Sequence, residues 1–290
     1  MNRWTYRGGD VLPEIKLVGY DDLTEAIRLK EHSHEGAFEF VWMERGRAAW
    51  QVEEQVYGTG AGEVFITKPD EIHKGRYDII EPSRFWWLIL EAPALHYPTR
   101  WWLQPDESEI ASFINEMWAL PRVINVGSEA GVIFRRMRQA IEQGGPLTRM
   151  KTCTAVLELI LLLIRSRDHV NDDTSVTADL IDELCCRMAH SLHEPLSVPE
   201  MVRHMGLSEA HFFRVFQEHT GFTPWDYMNN LRIEEACRLL ETTNFRITEI
   251  AMELGFATSQ HFATSFKRRK LRTPTQWRQE KWVGGRRSGI

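Results

Sequence analysis

Cysteine is scarce: Cys153, Cys185, Cys186 and Cys237 are the four present in 290 residues, and no two stand as Cys-x-x-Cys. This excludes a zinc ribbon or a thioredoxin-like redox pair and offers no disulfide framework. Long apolar runs are also missing. The longest, Ala155–Ile164, is interrupted by Glu158, whereas a membrane span needs about 20 apolar residues. The opening MNRWTYRGGDVLPEIK has no apolar core of signal-peptide length. A cytoplasmic location without a membrane partner is therefore expected. A glycine-rich phosphate loop, a Ser/His/Asp set and a Cys/His nucleophile pair are absent too. The expectation is a protein that is not an enzyme.

The chain lacks the basic excess of a nucleic-acid-binding protein, carrying −6 overall. The distribution changes that reading: residues 1–175 carry −7 and residues 176–290 carry +1, with a basic run at Lys267-Arg268-Arg269-Lys270-Leu271-Arg272. The acidity belongs to the N-terminal part.

Residues 1–105 read as β. Phe38–Met43, Ala48–Val52, Val64–Thr67 and Phe85–Leu90 are short runs rich in Val, Phe, Trp and Ile, punctuated by Gly46, Gly58, Gly60, Gly62 and Pro69. Such spacing predicts an antiparallel sandwich or small barrel. After Pro105, apolar residues recur at three and four positions over 106–118, 129–143 and 147–167, which predicts helices. The polar stretch 168–176 reads as a linker. The fold class expected is α+β in two domains: residues 1–105 as a β-barrel, 106–175 as linker or dimerisation helices, and 176–290 as an all-α domain.

The C-terminal part repeats itself. His211, Phe212, Phe216, Thr223, Pro224 and Tyr227 return fifty positions later as His261, Phe262, Phe266, Thr273, Pro274 and Trp277. Upstream the offset is one residue less, and the difference falls after Gly206 and Gly255, where a turn absorbs it. Each copy reads as a short amphipathic helix, a glycine turn and a second helix. Ser208 caps that second helix in the first copy, and Thr258 or Ser259 in the second. Phe212 with Phe216, and Phe262 with Phe266, share a face at i and i+4 and point to the core. The outer face of each second helix is then free for a major groove. Glu234 and Glu235 read as solvated on an exposed helix face.

Residues 177–282 resemble the DNA-binding domain of the AraC/XylS family of transcription regulators. The resemblance rests on Ile247-Thr248-Glu249-Ile250-Ala251, Gly255-Phe256, Gln260-His261-Phe262, Phe266-Lys267-Arg268 and Thr273-Pro274-x-x-Trp277-Arg278. It implies two helix-turn-helix motifs joined by a long helix, double-stranded DNA as partner, and RNA polymerase and a second copy of the chain as further partners. Matched position by position, the first recognition helix offers Ala210, His211, Phe213, Arg214 and Gln217. The second offers Ser259, Gln260, Ala263 and Thr264, with Lys267 and Arg268 nearer the phosphates. Arg214 and Gln260 are the candidates for base readout, since Arg suits guanine and Gln suits adenine. The second copy departs from the family at Leu271, where a glycine is usual, and Thr220 and Lys270 stand where an aromatic is usual.

A second constellation is His32-x-His34-x₄-Glu39-x₆-Gly46, followed by Pro69-x-x-x-His73. Residues 30–75 resemble a cupin barrel, whose first motif has this spacing, and cupins often precede the DNA-binding domain just named. On a strand His32 and His34 share a face. Three imidazoles and a carboxylate suit Zn, Fe, Mn, Ni or Cu. Three readings stay open: a divalent transition metal at His32, His34, Glu39 and His73; a metal-free pocket for a small effector such as a sugar, lined by these residues and Trp42; or packed side chains. No cofactor is required in the second and third. The functional expectation is an effector-responsive transcription regulator, an activator by resemblance. The alternative is a metal-dependent cupin enzyme with an accessory DNA-binding domain.

Overall fold

The computed structural model describes residues 2–9, 12–92, 107–168, 176–194 and 197–285. Most of the expected linker 168–176 lies outside the described residues. The chain divides into two compact units, one of Met1–Thr24 with Arg28–Asp172 and one of Glu25–Ile27 with Asp173–Ile290.

The N-terminal unit contains β1 (Asn2–Arg7), β2 (Ile15–Asp22), β3 (Ile27–Arg28), β4 (Ala37–Arg45), β5 (Ala48–Val52), β6 (Gln55–Thr59), β7 (Glu63–Thr67), β8 (His73–Gly75), β9 (Ile79–Ile80), β10 (Arg84–Glu91) and β11 (Val123–Asn125). It also holds helices α1 (Glu107–Trp118), α2 (Glu129–Gln143) and α3 (Thr148–Asp168). A six-stranded sheet runs β1-β2-β10-β4-β7-β11, and a three-stranded sheet runs β6-β5-β8.

Strand alternation sorts the side chains. Phe38, Phe40 and Trp42 of β4, Trp86, Leu88 and Leu90 of β10, and Val64 and Ile66 of β7 face the helices and share one core with Ile133, Phe134, Val156, Leu159 and Leu163. The helices expected as a separate linker are therefore part of this unit's core, because their apolar stripes cover the sheet's outer face. The opposite, inner face carries Glu39, Val41 and Met43. Register places Glu39 opposite Ile89 and Thr67, and Val41 opposite Trp87 and Phe65. Trp50 of β5 stacks on Phe65 with centroids 4.8 Å apart and closes this part of the interior.

The C-terminal unit is helical: α4 (Val176–His190), α5 (Val198–Met205), α6 (Glu209–Thr220), α7 (Pro224–Thr242), α8 (Ile247–Glu253), α9 (Ser259–Lys270) and α10 (Pro274–Gly285). The repeat is visible in the caps. Ser208 accepts from His211 N–H at the start of α6, and Thr258, not Ser259, accepts from His261 N–H at the start of α9. Thr223 and Thr273 likewise accept from Asp226 N–H and Gln276 N–H. Gly206 and Gly255 both turn with positive φ, 64° and 68°.

The two copies part at the end of the second helix. Gly221 closes α6 at φ 76°, and Leu271 closes α9 in the same left-handed conformation at φ 57°. A Cβ is disfavoured there. Replacing Leu271 by Gly should stabilise the helical unit by about 0.5–1 kcal/mol. Urea unfolding of the full chain, followed by circular dichroism at the helical band, would show a higher midpoint. An unchanged or lower midpoint would mean that the half-exposed Leu271 side chain contributes more than its backbone costs.

Candidate effector cluster and nucleic-acid interface

His32 and His34 lie in the loop before β4, Glu39 in β4 and His73 at the start of β8. His32 and His73 form an isolated antiparallel bridge, each backbone N–H donating to the other's carbonyl at 3.0 and 2.9 Å. This doubly bonded pair sets the two rings side by side, centroids 4.2 Å apart. One donor atom from each of His32, His34, Glu39 and His73 lies within 4.8 Å of the others.

The outer nitrogens are already committed. His32 Nδ1 is 2.8 Å from Lys30 O and His73 Nδ1 is 3.0 Å from Glu71 O. If each Nδ1 carries the proton, Nε2 turns its lone pair inward, the arrangement that backbone carbonyls impose on metal-binding histidines. Glu39 Oε2 stands 2.9 Å from His73 Nε2 and 3.6 Å from His34 Nε2. Yet all three atoms are buried without a hydrogen bond of proper angle. Glu39 and His73 thus face each other, with His34 farther off.

The electrostatics follow from burial and proximity. Burial pushes the Glu39 carboxyl up, but the His34 and His73 imidazoles outweigh it and hold the group down at about 2. Burial pulls His73 down, and Glu39 more than reverses this, leaving it raised. His32 is lowered, chiefly by burial. Without a bound cation the cluster thus favours an ionised Glu39 and makes His73 more basic than a free imidazole.

Trp42 does not join this cluster. It is three residues from Glu39, on the opposite face of β4, where Nε1 donates to Gly127 O at 3.0 Å. Gly131 of α2 is what admits the indole, since a Cβ there would sit 2.4 Å from the ring. Trp87 is on the inner face instead, its N–H donating to Asp21 at 3.2 Å, while Arg3 holds Asp21 at 2.6 Å. Sequence reading missed Asp21 and the inner-face residue Thr67. The alternation Leu17, Gly19, Asp21 in β2 was the available signal.

In the helical unit, Ala210, His211 and Arg214 of α6 and Ser259, Gln260, Thr264, Lys267 and Arg268 of α9 are exposed, with Gln217 and Ala263 half-buried. Phe212, Phe216, Phe262 and Phe266 are fully buried beneath them. Phe213 is likewise half-buried and packs against the core of the first motif, 5.8 Å from Phe212. His261 rests edge-on against Phe256 at 5.7 Å and stays exposed. The basic run splits by helix face. Lys267 and Arg268 are exposed, Arg269 and Lys270 are buried, and Arg272 pairs with Glu280 at 2.7 Å. Glu234 lies on an exposed face, as expected, and also accepts from buried Lys270 at 2.5 Å.

Arg232 organises this unit, and sequence reading missed it. Its Nε donates to Leu192 O at 2.9 Å, ahead of α5, and its Nη1 to Gly255 O at 3.2 Å, in the turn between α8 and α9. The guanidinium lies 5.8 Å from the Phe256 ring centroid. The long helix α7 thereby fastens the first motif to the second through one side chain. An arginine at a position in register with Met228, Ala236 and Leu240 was the signal for a buried charge.

Comparison with known proteins follows this division. Residues 15–160, half of the chain, match the model for the AraC-like ligand binding domain, and residues 201–280 match a helix-turn-helix domain. The HTH-type transcriptional activator RhaR of Salmonella schwarzengrund (strain CVM19633) is 26% identical over 252 residues, 86% of each chain. RhaR of Salmonella typhimurium gives the same identity and coverage. Among solved structures, the DNA-binding domain of AdpA in complex with a target DNA is 26% identical over 38% of this chain and 97% of its own, TM-score 0.34. ToxT from Vibrio cholerae O395 covers 89% of this chain and 96% of its own at 11% identity, TM-score 0.34.

Replacing Arg232 by Met keeps most of the volume and removes the fork. It should destabilise the helical unit by about 1–3 kcal/mol, because two half-buried carbonyls lose a charged donor. Thermal unfolding and DNA affinity should fall together. Retained stability would show that the two carbonyls find other donors.

Proposed function

This chain belongs to the AraC family of transcription regulators, and on that premise we propose that α6 and α9 read DNA while the inner-face cluster of the β-rich unit holds a divalent transition metal as part of its effector site. The chain is a sequence-specific DNA-binding regulator with an effector-binding domain and a helix-turn-helix domain. The observation that carries DNA recognition is the doubled motif, with a buried Phe pair under each second helix and an exposed polar outer face above it.

Arg214 and Gln260 are proposed as base readers, and Lys267 and Arg268 as phosphate contacts. Replacing Arg214 or Gln260 by Ala should cost about 1–3 kcal/mol of discrimination between the preferred site and a base-substituted one. Replacing Lys267 by Ala should weaken all duplexes alike and lower the salt slope by about one unit. Fluorescence anisotropy on a selected duplex, at several salt concentrations, separates the two. Uniform weakening by the Arg214 and Gln260 variants would remove them from base readout.

The metal assignment rests on the four convergent donors. Three of the inward atoms, on His34, Glu39 and His73, are buried without a hydrogen bond, and three imidazoles with one carboxylate fit a first-row divalent ion. Such an ion would supply Lewis-acid binding of an oxygen donor. The protein's part is to orient His32 and His73 through the carbonyls of Lys30 and Glu71. Untagged protein purified without chelator should contain close to one equivalent of metal, lost in a folded His32→Ala/His34→Ala variant. No metal in either sample would leave the histidines as polar groups of an organic-effector pocket.

Activation is the proposed outcome, in line with the names of the RhaR relatives, with RNA polymerase as a further partner. A homodimer through α3 is proposed from its exposed Met150 and Leu161. The β-rich unit is read as a sensor rather than an enzyme, acting in the cytoplasm. Among the described residues no helix is long and apolar enough to cross a membrane.

A further inference from the structure

The ligand that would complete this site can be narrowed by what surrounds it, an inference that rests on the metal reading above. On the inner face the row from Glu39 runs through Ile89 to Leu17, and the adjoining row holds Trp87. Val41, Met43, Phe65 and Trp50 are fully buried, whereas Leu17 and Trp87 are half-buried. The residues of these rows beside the donor cluster are thus mostly apolar. Farther along this face the hydrogen-bonding groups are engaged: the Trp87 N–H goes to Asp21, and Asp21 also takes two bonds from Arg3. Thr67, opposite Glu39, keeps a buried hydroxyl without a partner.

A polar ligand on this wall would find few free protein groups and would take its main polar contacts from the ion. A six-coordinate ion held by four protein donors retains two positions for oxygen. Charge balance then selects the ligand. Three neutral imidazoles and one carboxylate leave a divalent ion with a residual single positive charge, beside a carboxylate that is 8% exposed. A residual buried charge is costly unless paired. We propose that the effector is a hydroxy carboxylate with one negative charge, a sugar acid being the carbohydrate version. Its carboxylate and adjacent hydroxyl chelate the ion, and its carbon chain lies along Leu17, Ile89 and Trp87.

The test uses the full chain loaded with Co²⁺, whose visible absorption reports its ligands. Glycolate and gluconate are the probes, with ethylene glycol and glucose as neutral counterparts. Glycolate and gluconate should shift the Co²⁺ band saturably, at concentrations at least about tenfold below those the neutral diols need, a difference of about 1.4 kcal/mol. If Co²⁺ binds and the hydroxy acids leave the band unchanged, or the neutral diols act equally well, the proposal is overturned and the metal site stands. If Co²⁺ does not bind, the metal reading fails, and this proposal with it.

Discussion

Strand β4 has no solvent face along most of its length, and the N-terminal unit is arranged around that constraint. Alternate residues Phe38, Phe40 and Trp42 enter the helix-covered core, and Glu39, Val41 and Met43 enter the interior between the sheets. A slip of one residue would exchange the two sets. Both sets are buried, so the register is fixed by fit: Phe38, Phe40 and Trp42 pack against the helices, and Glu39 meets the imidazoles. Glu39 is buried along with its apolar neighbours, and the imidazoles beside it are what make its charge tolerable there. The packing and the site are two consequences of one alternation.

The helical unit meets the same difficulty differently. Arg232 and Lys270 are buried cations, answered by two backbone carbonyls and by Glu234 respectively. Removing one partner from such a group is expensive, although the intact pair adds little net stability. Their structural effect is positional. Arg232 makes the turn of the second motif depend on the segment before the first, so the spacing of α6 and α9 is tied to α7. Gly255 takes part in this fastening, because a Cβ there would lie 2.8 Å from Arg232 Nη2.

The strongest periodicities were legible in sequence. The spans 129–143 and 48–52 were anticipated with the bounds of α2 and β5, since glycines or polar turns delimit them on both sides. The cluster of His32, His34, Glu39 and His73 was also legible, because His32 and His34 share a strand's period, Glu39 and Gly46 follow at the spacing of a cupin motif, and His73 follows a proline. Trp42 was misplaced for want of the same test: its separation from Glu39 is odd, so the two cannot share a face of a regular strand. Strands β1 and β2 were not singled out, because the exposed Arg3, Thr5 and Arg7 mask the apolar half of the pattern, Trp4 and Tyr6. Phe213 was carried over as a DNA contact by position alone. Its neighbour Phe212 already fills the core, and Phe213 covers the flank of that core.

The four donors come from elements that meet only where the two sheets approach each other. Glu39 belongs to the six-stranded sheet, His73 to the three-stranded one, and His32 and His34 to the loop that bridges toward β8. The inner face elsewhere is joined by apolar contacts such as Trp50 on Phe65, which are non-directional and tolerate small slides. The cluster is directional: its atoms hold their mutual distances only if both sheets keep their places. A ligand that engages all four donors therefore binds one relative placement of the sheets more tightly than any other, and differential affinity is what shifts a conformational equilibrium. On the proposed reading of the cluster as part of the effector site, occupying it and fastening the seam between the sheets are the same physical event, so the degree to which the seam is fastened is the quantity by which this domain would register its effector.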